Sequence, residues 1–105
     1  MIPEQFREFM QDLKHATESG KARWETSLIN GYTCEKDEFS FGIWHQRHEH
    51  NGMDVIGFTV SAPSGRTRFL VEGNEADFAN MSGLYAAASA AANRFPERLK
   101  GLFRA

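Results

Sequence analysis

The run Trp44-His45-Gln46-Arg47-His48-Glu49-His50 brings three imidazoles close together in the sequence. Imidazole binds transition metals and titrates near neutral pH, so such a cluster suggests a metal site or an acid–base group. On an extended chain side chains alternate, which puts His48 and His50 on one face and His45 on the other. A tetrahedral zinc site needs four converging donors. Only Glu72 is expected as a same-face neighbour of the pair, so the set falls short. We expect no metal and no cofactor: His48 and His50 read as exposed residues at a strand end, and His45 as a hydrogen-bonded residue at the rim of the core.

Other reactive residue types fare no better. Cys34 shares the parity of Leu28 and Tyr32 and reads as a small buried hydrophobe. A cysteine nucleophile needs a histidine and an orienting group beside it, and no spacing supplies them. An enzyme would require a pocket that carries His45 to Cys34 or Glu35. Glu35, Asp37 and Glu38 crowd a polar turn. Gly20-Lys21 lacks the spacing of a phosphate-binding loop and reads as a helix stop. The expected protein is not an enzyme.

The elements that position these residues follow from periodicity. Phe6, Phe9, Met10 and Leu13 line one face of a helix from about Pro3 to Glu18, closed by Ser19-Gly20. From Leu28 to Glu72 the period changes to two. Strands are expected near Ser27 to Glu35, Phe39 to His50, Met53 to Ser61 and Arg66 to Glu72. The turns between them are Lys36-Asp37-Glu38, Asn51-Gly52 and Ala62-Pro63-Ser64-Gly65. Asn74 is the expected N-cap of a closing helix, about Glu75 to Phe95, whose stripe runs Phe78, Met81, Tyr85, Ala88, Ala92, Phe95. Residues 97–105 form a tail with Leu99, Leu102 and Phe103. The fold class is α+β: an N-terminal helix, a four-stranded antiparallel meander and a C-terminal helix, both helices packed on one sheet face. Its core should hold Phe6, Phe9, Leu13, Phe41, Ile43, Ile56, Phe58, Phe69, Tyr85 and Ala88.

A two-residue turn at Asn51-Gly52 sets a register of His50 with Met53, Arg47 with Ile56, His45 with Phe58 and Trp44 with Thr59. One face then collects Phe39, Phe41, Ile43, Ile56, Phe58 and Val60. If Pro63-Ser64 is the next two-residue loop, Phe69 meets Phe58 and Val71 meets Ile56. The opposite face gathers Trp44, Gln46, His48, Val55, Thr59, Arg66, Arg68 and Leu70. Tryptophan and arginine are the side chains of binding hot spots. Trp44, Gln46, His48, Arg66, Arg68 and Leu70 are therefore the candidate partner-binding residues. In the competing reading Trp44 is covered by Trp24, by the tail around Leu99 and Phe103, or by the helices.

Composition bounds the function. The 105 residues carry 12 Lys+Arg against 14 Asp+Glu, a formal net charge of −2, with 41% hydrophobic and 25% charged residues. That suits one soluble domain and gives no global basic field for nucleic acid. No apolar run approaches a membrane span, and the N-terminus has no signal-peptide pattern. A single cysteine fits a cytoplasmic location.

The junction Thr17-x-x-Gly20-Lys21-x-x-Trp24, between a helix and a meander, with Leu84-Tyr85 opening the closing helix, resembles a group of small uncharacterised bacterial proteins. The resemblance implies this order of elements and a bacterial or phage origin, and no activity or catalytic residues. The expected function is protein–protein association as a homodimer, through the Trp44 face or the alanine-rich helix. The alternative is single-stranded nucleic-acid binding, with Trp44 stacking on bases and Arg66, Arg68 and Arg47 near phosphates.

Overall fold

A computed structural model describes residues 1–27, 30–49 and 51–104. The chain opens with a 3-10 turn, Glu4–Phe6, that leads into α1, Arg7–Glu18. Met10 and Leu13 are buried on the apolar face of α1, and the Phe9 ring lies 5.1 Å from that of Phe41 on the sheet. A Schellman motif ends the helix: Lys21 N–H donates to Ala16 O at 2.8 Å and Gly20 N–H to Thr17 O at 3.2 Å. Gly20 holds the left-handed φ of 82° that this cap demands.

The sheet has five strands, not four: β1 Trp24–Ser27, β2 Gly31–Lys36, β3 Phe39–Arg47, β4 Asp54–Ala62 and β5 Gly65–Glu72, paired antiparallel in that order. The expected strand from Ser27 to Glu35 is broken by a hairpin. Asn30 adopts a left-handed φ of 50° and Gly31 opens β2 after it, whereas in the Asn51-Gly52 pair it is the glycine that is left-handed. Leu28 and Ile29 lie outside the described residues. Thr26 then faces Tyr32, and Trp24 faces Cys34.

The pairing of β3 with β4 differs from the expected register by two residues: Arg47 faces Asp54, His45 faces Ile56, Ile43 faces Phe58 and Trp44 faces Gly57. The connection is wider than two residues, because His48 N–H donates to Met53 O and Gly52 N–H to His48 O, each at 2.9 Å. His50, the expected partner of Met53, lies outside the described residues. A shift of two keeps every side chain on its expected face. The β4–β5 register is the expected one, with Phe58 opposite Phe69 and Ile56 opposite Val71.

The closing helix, α2, spans Phe78–Ala92, and a short α3 spans Phe95–Leu99. Asp77 takes the N-cap position instead of Asn74. Its carboxylate turns away from the helix to accept from both Arg7 guanidinium nitrogens and from Ile2 N–H. Both helices cover one face of the sheet, over Phe41, Ile43, Ile56, Phe58, Phe69 and Val71. From α2, Met81, Leu84 and Ala88 enter the core, whereas Tyr85 is half-buried and Phe95 exposed. Phe39, at the start of β3, is exposed as well. Trp24 and Cys34 are buried on the helix side, and burial pushes the Cys34 thiol up from its ordinary pKa.

Candidate contact surface on the open face of the sheet

No described segment crosses the second face of the sheet. Trp24 lies in the core on the opposite side, and α3 packs on α2 alone, with Leu99 and Phe103 exposed to solvent. The helices and the tail therefore leave Trp44 on the open side, where parity places it. Across the strands, one row of this face runs Glu25, Thr33, Gly42, Thr59, Arg68. The adjoining row runs Ser27, Gly31, Trp44, Gly57, Leu70.

Glycine shapes this surface. The Trp44 indole lies over Gly57: a methyl group there would stand 2.1 Å from its Cζ2. On the other side of Trp44, Gly31 and Gly42 carry no side chain; Gly31 is itself buried and Gly42 half-buried. The result is an open groove of about 380 Å³ between Trp44, Ser27, Thr33 and Thr59. The Arg68 guanidinium carbon sits 5.5 Å from the centroid of the Trp44 ring, within cation–π range. Val55 is fully buried although it faces this open side, and Leu70 is 38% exposed. Trp44 and Leu70 are thus the apolar side chains that this face leaves partly exposed.

The structure gathers Trp44, Gln46, Arg66, Arg68 and Leu70 on this face, while His48 belongs to the loop after β3. Arg47 does not join them. It has the parity of His45 and donates from Nε to Asp54 Oδ1 at 3.2 Å. Sequence reasoning missed Glu25 and the three glycines. Asn30-Gly31 was the available signal, since a hairpin there sets the β1–β2 register and brings Glu25 into the row of Arg68.

The other reactive groups are absorbed by the fold. His45 Nε2 lies 3.2 Å from Asp54 Oδ1, and its ring centroid is 5.7 Å from that of Tyr85. Arg47, with His45 beside it, holds the Asp54 carboxyl below its ordinary pKa. Tyr32 and Ser89 share a hydroxyl–hydroxyl hydrogen bond of 2.9 Å, and Tyr85 Oη donates to Asn30 O. Cys34 faces Phe41, four residues along β3 from His45 and so about 13 Å away by strand rise. Glu35 faces the open side. The arrangement that an enzyme reading required is not formed. Among the described residues, no group of three His, Cys, Asp or Glu side chains converges to hold a metal.

The alanine-rich helix presents a second apolar surface. Gly83, Ala86, Ala87, Ala90 and Ala91 line a groove of about 370 Å³ that Thr17, Glu18 and Pro96 border. No helix among the described residues is long and apolar enough to cross a membrane. No family model matches the chain, and neither a curated protein nor a solved structure matches it.

Proposed function

We propose that this protein is a small non-enzymatic association module of the bacterial cytoplasm that works as a homodimer through the open face of its sheet. The observation that carries the reading is the construction of that face around Trp44. A large aromatic is laid against glycine, with a groove lined by two further glycines on its other side and an arginine against its ring. Aromatic and arginine side chains dominate interface energetics when they are desolvated at the centre of a patch.

Single-stranded nucleic acid is the second reading, favoured by the pairing of Trp44 with Arg68. Glu25 and Glu35 on the same face, and the engagement of Arg47 with Asp54, weigh against it.

Sedimentation of the parent protein and of Trp44→Ala over a wide concentration range tests the proposal. The parent should dimerise, and the variant should associate at least tenfold more weakly. Its monomer should lose well under the ~3–5 kcal/mol of a truncated core aromatic. A parent that stays at monomer mass throughout overturns the reading. Binding of short single strands by the parent at ~50 mM salt would favour the second reading instead.

A further inference from the structure

From the charge pattern of the open face we infer the geometry of the dimer, an inference that rests on the reading above. The two copies stack sheet on sheet about a two-fold axis that runs parallel to the strands and passes over Gly42. Each Trp44 enters the partner's groove at Gly31, and each Arg68 meets the partner's Glu25.

The argument starts from the rows. Acidic side chains lie on the β1–β2 side of the open face, at Glu25 and Glu35, and basic ones on β5, at Arg66 and Arg68, with Glu72 at the far end of that strand. Between them the face is small, hydroxylic or apolar. A two-fold axis perpendicular to the strands would lay β5 against the partner's β5, where Glu72 can meet only one of the two arginines, and would leave Glu25 and Glu35 without an arginine opposite. An axis parallel to the strands reverses the strand order across the interface. Because β3 is the middle strand of five, β5 then faces the partner's β1. Glu25 and Arg68 end the same row, so they meet directly across the axis. Arg66 comes within reach of the partner's Glu35, one strand further in.

The same axis matches shape. Trp44 sits on the middle strand and leans toward β4, over Gly57. Under this rotation β4 faces the partner's β2, so the indole stands opposite the partner's Gly31. That is the side of the partner's own Trp44 on which the groove of about 380 Å³ lies, lined by Gly31 and Gly42. Knob and hole therefore coincide twice in one contact, as an isologous interface requires. Five strands at ~4.8 Å spacing and six residues at ~3.4 Å give a face of about 24 by 20 Å. Two such faces bury about 1,000 Å², the lower bound for a specific interface and the size of a weak, reversible one. Sheets packed this way stand about 10 Å apart, and their side chains interdigitate.

Charge reversal with mixing tests the axis. Arg68→Glu and Glu25→Arg should each weaken self-association about tenfold or more, because each places two like-charge contacts in the dimer. An equimolar mixture of the two variants should associate within about threefold of the parent, since both contacts become complementary again between unlike chains. The doubly reversed chain should self-associate to the same extent. Damage within one chain cannot be repaired by mixing. A dimeric parent whose single variants associate normally, or whose mixture stays as weak as its components, overturns this axis and leaves the association reading standing. A monomeric parent overturns the association reading itself.

Discussion

Thr17 and Trp24, seven residues apart, are joined inside the core: the indole Nε1–H donates to the Thr17 hydroxyl at 2.9 Å, and that hydroxyl donates to Leu13 O at 2.7 Å. Both residues are about 4% exposed. The bond spans the turn between α1 and β1, so it sets the angle at which the helix leaves the sheet. Thr17→Val keeps the shape and strands the indole N–H, which should cost about 1–3 kcal/mol. Thr17→Ser should retain most of that stability. Adding Trp24→Phe to Thr17→Val should cost less than the sum of the single losses. Urea unfolding of the four proteins measures this, and strict additivity would show that the bond contributes nothing.

Gly57→Ala forces a methyl group against the Trp44 indole. The ring must leave its seat, at a cost of about 1–3 kcal/mol. In a Trp44→Ala background the methyl no longer meets the indole, whose atoms are its three nearest neighbours, and the cost should fall by half or more. A double-mutant cycle checks the coupling, and equal costs in both backgrounds would mean the indole does not rest on Gly57.

Arg7 bonds the Asp77 carboxylate at 2.8 and 3.0 Å and Ile2 N–H bonds it at 2.8 Å, which together hold its pKa below the ordinary carboxylate range. A folded-state pKa below the unfolded value, about 3.9, adds stability that is complete above about pH 5. The contribution is lost as pH falls through the folded value. Asp77→Asn should therefore melt earlier than the parent at pH 7, and the gap between the two should narrow as the pH falls below about 4. Thermal melts across that range measure the difference, and a constant gap would exclude the carboxylate's charge as its source.

Gly52 adopts φ 67°, and a Cβ there would touch nothing. The penalty for Gly52→Val is thus backbone strain alone, about 1 kcal/mol or more. Equal stability of variant and parent in denaturant unfolding would refute the left-handed turn.

Cys34 is 4% exposed, and its thiol is pushed up by burial, so little thiolate forms at neutral pH. An aromatic disulfide reagent should modify it only as fast as the fold opens. The rate should rise with urea in step with the unfolded fraction. Prompt modification of the native protein would contradict the burial.

Side-chain parity made much of this fold legible. The two-residue shift between β3 and β4 left Trp44 on the open face and Ile43 in the core, because a shift of two preserves sidedness. Trp24–Ser27 was not readable as a strand, because only one of its four residues is buried and no alternation shows. Asn30-Gly31 carried the hairpin signal that Asn51-Gly52 also carries, but it sits within an apolar-polar run that reads as continuous strand. The N-cap was misplaced at Asn74 because the residue that engages Asp77, Arg7, is 70 positions away. The row joining Glu25 to Arg68 could be read only once three registers were known, and no local pattern carries that information.

Each strand of the sheet pairs with the next one in the chain, so its hairpins close short loops and need no distant segment to form. The N-terminal segment is different: its bonds from Ile2 and Arg7 to Asp77 bridge 75 and 70 residues. Closing a loop of that length carries the largest entropy cost in the fold. We expect the meander to form first and the bonds from Ile2 and Arg7 to Asp77 to close late. Mutations in the hairpins should slow folding, whereas those at Arg7 or Ile2 should chiefly speed unfolding.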